Sequence, residues 1–273
     1  MSYLFIHRHR VAGVHGELAI QVQGDLQDPV VLMSHSILSS SAMWESQAVQ
    51  LLALGYCVVR MDTTGHGDSA PPMAAVTMNG LAADAVAVLD ALRVERAHYV
   101  GLSLGGMSGY GLGIHHRERV LSLVLCAARA DAPPEVAAPW SERIALAAQG
   151  NSCHPLAKPT IQRWFGEPYL DNHPEVAMTL RQIATRTTVA GFIGCARAMQ
   201  GLDYLDRVHA IDAPTTLIAG ARDGGLPQVM QDIEARMPHA TLQLIADAGH
   251  LPNIDQPRVF NEALLTHFRR HIH

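Results

Sequence analysis

At 273 residues the chain has room for one domain with an insertion, and a fold of that size buries roughly three quarters of its unfolded surface. The composition, 48% hydrophobic and 16% charged with a formal charge of −5, excludes a mainly disordered chain; with no basic run beyond Arg269-Arg270, it also argues against a nucleic-acid binder. The amino end through Arg10 lacks a signal peptide's apolar core and no run is long enough to span a bilayer, so a cytoplasmic protein without membrane partners is expected.

Leu4 to Arg10 and Gly16 to Gln23 alternate as two antiparallel strands joined by a turn at Gly13 to Gly16. Val30 to Met33 is a short apolar run of the kind buried on both faces. It opens into Ser34-His35-Ser36-Ile37-Leu38, a polar loop before a helix near Ser41 that carries Trp44. Tyr56 to Met61 is the next strand, and the loop Asp62 to Ser69 follows it. His35 and Asp62 are expected to order these loops by hydrogen bonding. Met78 to Val94 reads as an amphipathic helix with Leu81, Ala85, Val88 and Leu92 on one face.

The apolar stretch His98 to Leu102 then stops at Ser103, which is fenced by Gly101 and Gly105. In a strand–turn–helix setting, this spacing holds a serine on a strained turn at the sheet's carboxyl edge. The N–H of Leu104 would open the helix that runs to His115, where unpaired donors and the positive dipole end favour an oxyanion. That helix is thick with glycine, from Gly105 to Gly113, which predicts close packing against the sheet. Its glycines do not meet the G-x-G-x-x-G spacing and no P-loop lysine follows, so a nucleotide site is not expected.

Val120 to Cys126 is another strand. From about Ala130 the chain turns helical and carries Trp140, Trp164, Phe165, Tyr169, Phe192 and Tyr204. An insertion of this size within an α/β sheet predicts a helical cap over a substrate cavity, with most of these aromatics in the cap's own core. Strand character resumes at Thr215 to Gly220, a helix follows to Met237, and Thr241 to Ile245 is a last strand before a helix from Arg258 to His271. Asp223 and His250 each fall just past one of these strands.

Ser103, Asp223 and His250 therefore follow one another in the chain order of an α/β-hydrolase triad. Serine is too weak an acid to attack unaided; His250 would take its proton and return it to the leaving oxygen, while Asp223 fixes the tautomer. The N–H groups of Ile37 and Leu104 would hold the oxyanion, each worth about 3 to 4 kcal/mol. Sixteen histidines invite a metal reading. No H-E-x-x-H occurs, His115-His116 point to different helix faces, and His267, His271 and His273 lie on a terminal amphipathic helix, so no metal and no cofactor is expected. Cys57, Cys126, Cys153 and Cys195 have no paired spacing and read as small buried hydrophobes.

Over its whole length the chain resembles the α/β-hydrolases, and within them the 3-oxoadipate enol-lactonases. Ser34-His35-Ser36 with Trp44, Gly101 to Gly106, Leu112 to His115, Leu123 to Cys126, Ile161-Gln162-Arg163-Trp164-Phe165 and Ala248 to Asn253 carry the resemblance. It implies an α/β fold: a mostly parallel eight-stranded sheet flanked by helices, with a core of residues 1–129 and 209–273 and a helical cap over 130–208. It also implies hydrolysis of a small ester or lactone, most specifically opening of an enol-lactone. A carboxylated lactone requires a cation in the cap or rim, for which Arg129, Arg143 and Arg163 are candidates. Trp140 and Trp164 are expected beside the substrate. Ser36 and Thr64 depart from the glycine and arginine common in the superfamily, and Cys126 to Asp131 departs from the enol-lactonases. The triad is shared with short-chain esterases, acyl-homoserine lactonases, carbon–carbon bond hydrolases and acyltransferases, so these alternatives stay open, as do a non-catalytic receptor and self-association.

Overall fold

The computed structural model describes residues 5–270. Leu4, His271 and His273, which fall in predicted elements, lie outside the described residues. Eight strands form one sheet: β1 (His7–Ala12), β2 (Glu17–Gln23), β3 (Val30–Ser34), β4 (Cys57–Met61), β5 (Ala97–Leu102), β6 (Val120–Cys126), β7 (Thr215–Gly220) and β8 (Ala240–Ile245). Their order is β1-β2-β4-β3-β5-β6-β7-β8. β1 and β2 pair antiparallel, as do β2 and β4, and every later pairing is parallel.

The residues explain this layout. β3 to β7 are buried along their length save half-buried Leu121 and are mostly apolar, as strands covered on both faces must be. β1 instead presents exposed His7, Arg8, His9 and Arg10, and charge on an edge strand discourages further pairing. α1 (Glu45–Ala53) packs with the terminal α11 (Pro257–Arg270), while α2 (Met78–Ala91) packs with α3 (Leu104–His115), which also lies on β5 and β6. α2 ends three residues before the pattern predicts because Leu92 caps it and Arg93 adopts φ 57°. The glycines of α3 do bring it close to its neighbours: a Cβ at Gly105 would sit 2.5 Å from the Ser34 carbonyl oxygen.

Between β6 and β7 the chain forms α4 (Pro134–Gly150), α5 (His154–Phe165), α6 (Glu167–Asn172), α7 (Pro174–Arg186) and α8 (Val189–Gln200). After β7 comes α9 (Leu226–Glu234), and after β8 the short α10 (Pro252–Asp255). Because β3 turns back to β4 while β5 lies on its other side, the strand order reverses between β3 and β5. Ligands of open α/β sheets bind outside the carboxyl ends at such a point.

All four cysteines are buried thiols. His267, expected on the amphipathic face of α11, is buried beneath the sheet and bonds Thr216 Oγ1 at 2.8 Å and Ser122 Oγ at 2.7 Å. Among the described residues no helix is long and apolar enough to cross a membrane.

Candidate active site

Ser103 follows β5 directly and adopts φ 55°, ψ −112°, a conformation disfavoured for any residue with a side chain. The turn is held on both sides: the Ser103 N–H donates to the Cys126 carbonyl at 2.8 Å, and the Met107 N–H donates to the Ser103 carbonyl at 2.8 Å. Gly101 and Gly105 let β5, α3 and the end of β3 approach this closely, since a Cβ at Gly101 would overlap the Gly105 carbonyl oxygen.

Asp223 and His250 arrive from the loops after β7 and β8. The His250 Nε2 lies 2.9 Å from Ser103 Oγ, and its Nδ1 lies 2.6 Å from Asp223 Oδ2. A carboxylate facing Nδ1 selects the Nδ1–H tautomer, which leaves Nε2 free to accept the serine proton. Burial by itself pushes the Asp223 carboxyl up, but the charge and hydrogen bond of His250, together with Arg163, outweigh it and hold the group below its ordinary value. This arrangement can pass a proton from the serine to the imidazole while an ionised carboxylate steadies the imidazolium.

The loop after β3 faces the same point. The N–H groups of Ile37 and Leu104 donate to no acceptor among the described residues, and Ile37 and Ser103 line one cavity. The loop's shape is set by His35, whose Nδ1–H donates to the Ser36 carbonyl at 2.7 Å while its Nε2 accepts from the Thr63 N–H at 2.9 Å. One donor and one acceptor define a neutral ring, and burial lowers its pKa to match. Asp62 accepts from the N–H groups of Ser41 at 2.7 Å and Asp68 at 2.9 Å, which is the ordering role expected of it.

The cavity beside Ser103 has a volume of about 430 Å³. Four arginines line it: Arg129, Arg143, Arg163 and Arg222. Arg129 is committed to Asp131, with Nη2 2.9 Å from Oδ1. Arg222 is paired with Asp247. Among the described residues, Arg143 and Arg163 have no carboxylate partner. Arg143 stacks over the Trp140 ring, 4.7 Å from its centroid, and Trp140 itself lines the cavity. Arg163 opens onto the cavity with its side chain exposed there; the protein around it, and then Arg143, lower its pKa against the pull of Asp223.

Trp164 is a correction to the expectation of a substrate contact. It is fully buried and is absent from this cavity. Successive helical residues point about 100° apart, so with Arg163 on the cavity its neighbour faces elsewhere. Trp164 lies behind His250, with ring centroids 6.5 Å apart and planes 18° apart, and its carbonyl accepts from the His250 N–H at 2.8 Å. Sequence reasoning missed Arg222, Met107 and Met199 on the cavity wall. Only Arg222 gave a signal, by standing next to Asp223. A larger depression of about 550 Å³ between α7 and Ala42 to Ser46 holds no hydrogen-bonded nucleophile–base pair, so the candidate site is the smaller cavity.

Fold and site together define a hydrolase. The chain belongs to the alpha/beta hydrolase fold family, whose model matches residues 29–257. The 3-oxoadipate enol-lactonase 1 of Acinetobacter baylyi is 31% identical over 258 residues, covering 93% of this chain and 94% of that protein. The putative carbamate hydrolase RutD of Variovorax paradoxus is 30% identical over 262 residues, covering 93% and 96%. Among solved structures, the enol-lactonase from Burkholderia xenovorans LB400 aligns with a TM-score of 0.89 at 27% identity, covering 96% of this chain and all of that one.

Proposed function

We propose that this protein is a cofactor-independent serine hydrolase that opens a small lactone bearing a free carboxylate, with an enol-lactone as the leading candidate. The observation that carries the reading is the hydrogen-bonded chain Ser103–His250–Asp223 on a cavity that also holds Arg143 and Arg163 without carboxylate partners. The likeness to enol-lactonases supports the same choice.

In this reading Ser103 Oγ attacks the lactone carbonyl carbon as its proton passes to His250 Nε2. The oxyanion forms opposite the Ile37 and Leu104 N–H groups, each donor lowering the barrier by about 3 to 4 kcal/mol. Collapse breaks the ring C–O bond, and His250 returns the proton to the departing oxygen, which stays tethered to the acyl chain. Water, deprotonated by His250, then attacks the acyl-enzyme and releases the carboxylic acid with Ser103 restored. Asp223 remains ionised throughout. Residues 130–208 act as a cap over the core of 1–129 and 209–273, and Arg143 and Arg163 take the substrate carboxylate. Arg129 is the weaker candidate because Asp131 already occupies it.

Ser103→Ala, assayed on a panel of carboxylated enol-lactones, acyl-homoserine lactones and p-nitrophenyl esters, tests both parts. The variant should keep its fold and lose turnover and active-site-serine labelling. Retained hydrolysis would remove Ser103 from the mechanism, and a preference for neutral long-chain esters would remove the carboxylated lactone.

A further inference from the structure

β8 ends at Ile245, so the amides of the loop that carries His250 have no strand to bond. Two consecutive amides are satisfied in other ways. The His250 N–H donates to the Trp164 carbonyl at 2.8 Å, and the Gly249 N–H donates to Asp255 Oδ2 at 2.6 Å. Asp255 closes α10, where its own N–H is bonded to the Leu251 carbonyl at 3.2 Å, which holds the carboxylate at a fixed place relative to the loop. Gly249 is seated so tightly that a Cβ would overlap the Trp164 carbonyl oxygen. Behind the loop lies a cavity of about 500 Å³, bordered by Gly249, Trp164 and Asp255 rather than filled by side chains. Hydrogen bonds therefore do the locating that packing does elsewhere in the core.

We infer that Asp255 is the positioning residue for the catalytic histidine: its carboxylate oxygen holds the Gly249 N–H and so sets where the His250 imidazole sits between Ser103 and Asp223. This inference rests on His250 being the base of the proposed reaction. Asp255 touches neither substrate nor reacting atoms and acts through the loop. The carboxylate is costly to keep. Burial pushes it up to about 6 despite hydrogen bonds from Gly249 and Gln256 and the nearby charge of Arg222, and its Oδ1 is buried with no partner. Arg163, Asp247, Tyr169 and His173 are the other ionisable groups bordering the same cavity, and none of them bonds it. A group held at such a cost is found where geometry is at a premium.

Three variants at pH 8 separate the acceptor from the charge. Asp255→Ala removes both, and kcat should fall about tenfold or more with KM within about twofold, since displacement of a catalytic group by about 1 Å costs up to 10²-fold. Asp255→Asn keeps an oxygen acceptor without the charge and should recover to within about threefold of wild type; Asp255→Glu keeps the charge, shifts the acceptor by one methylene, and should be impaired even if the alanine variant fails to fold. Full activity in Asp255→Ala or Asp255→Glu, or a loss in Asp255→Asn equal to that of the folded alanine variant, overturns the assignment. Amide exchange at Gly249 and His250 in a Ser103→Ala background reads the anchor independently of turnover. Faster exchange in the alanine or glutamate variant but not in the asparagine variant supports the anchor, and unchanged exchange in both refutes it. Failure of the hydrolase reading itself appears as turnover that survives Ser103→Ala while this exchange pattern persists.

Discussion

Gly101→Ala adds one methyl group near the carboxyl end of β5. The strand is paired with β3 through Ser34 and with β6 through Leu125, so it has parallel neighbours on both sides and no room to move within the sheet. The new Cβ would overlap the Gly105 carbonyl and lie 2.7 Å from the Gly106 nitrogen, and both are backbone atoms that no rotamer change can withdraw. The first turn of α3 must give way, by about 1 Å if ordinary contact is to be restored. Overpacking of this kind costs roughly 1–3 kcal/mol. The same turn carries Ser103 and the Leu104 N–H, so a shift of about 1 Å should lower kcat by up to 10²-fold. Urea unfolding of the variant reads the first quantity, and turnover of a saturating activated ester reads the second. A variant within about 0.5 kcal/mol of wild type in stability, and unimpaired in turnover, would refute the claim that close approach of β5 and α3 builds the site.

Arg163→Met should lower kcat/KM for carboxylated lactones by about 10-fold or more, the value of roughly 1.5–3 kcal/mol for a charge-assisted bond, and leave neutral esters much less affected. Arg129→Met should do less, because its guanidinium is held by Asp131; equal losses on both substrate classes would contradict the assignment. His66 is buried against His35, and burial brings its pKa down from 6.5 to about 3. A base depressed in this way stabilises the fold fully above about 6.5 and loses that contribution as pH falls toward about 3. Asp255, raised to about 6 from 3.8, works in the opposite direction over part of that range. The difference in urea midpoint between wild type and His66→Gln should therefore narrow from pH 7.5 to pH 4.5, and a constant difference would show that His66 does not titrate there.

The sheet was readable because its central strands are short apolar runs bounded by polar turns, and β6 and β7 begin and end where the pattern predicts. The candidate site was readable for a related reason: Ser103, Asp223 and His250 each follow such a run, and period and turn chemistry are local properties. What was not local was not readable. Trp164 and Arg163 are adjacent in sequence and both suit a substrate pocket; which one faces it depends on how α5 docks beside the His250 loop. Arg222 meets Asp247 only because the loops after β7 and β8 come together. Asp255 gave no sign in the sequence of a tie to Gly249, since an acid at the end of a one-turn helix usually faces water.

The fate of the arginines carries the question of specificity one step further. Arg129, half-buried on the cavity, is paired with Asp131, and the exposed Arg222 is paired with Asp247. Arg163 has Asp223 nearby, but that carboxylate is already bonded to His250, so its charge is shared with the imidazole that the proposed reaction makes cationic. Arg143 adds a second positive charge next to Arg163 and lies over the face of Trp140. Arg143 lowers the pKa of Arg163, so the two guanidinium charges on this cavity repel. On the proposed reading, an incoming carboxylate relieves that repulsion and draws part of its binding free energy from it, while a neutral ester of the same size leaves the repulsion in place. On that reading, discrimination by charge is built from repulsion as well as attraction, through Arg163, which also helps to hold the Asp223 carboxyl below its ordinary value.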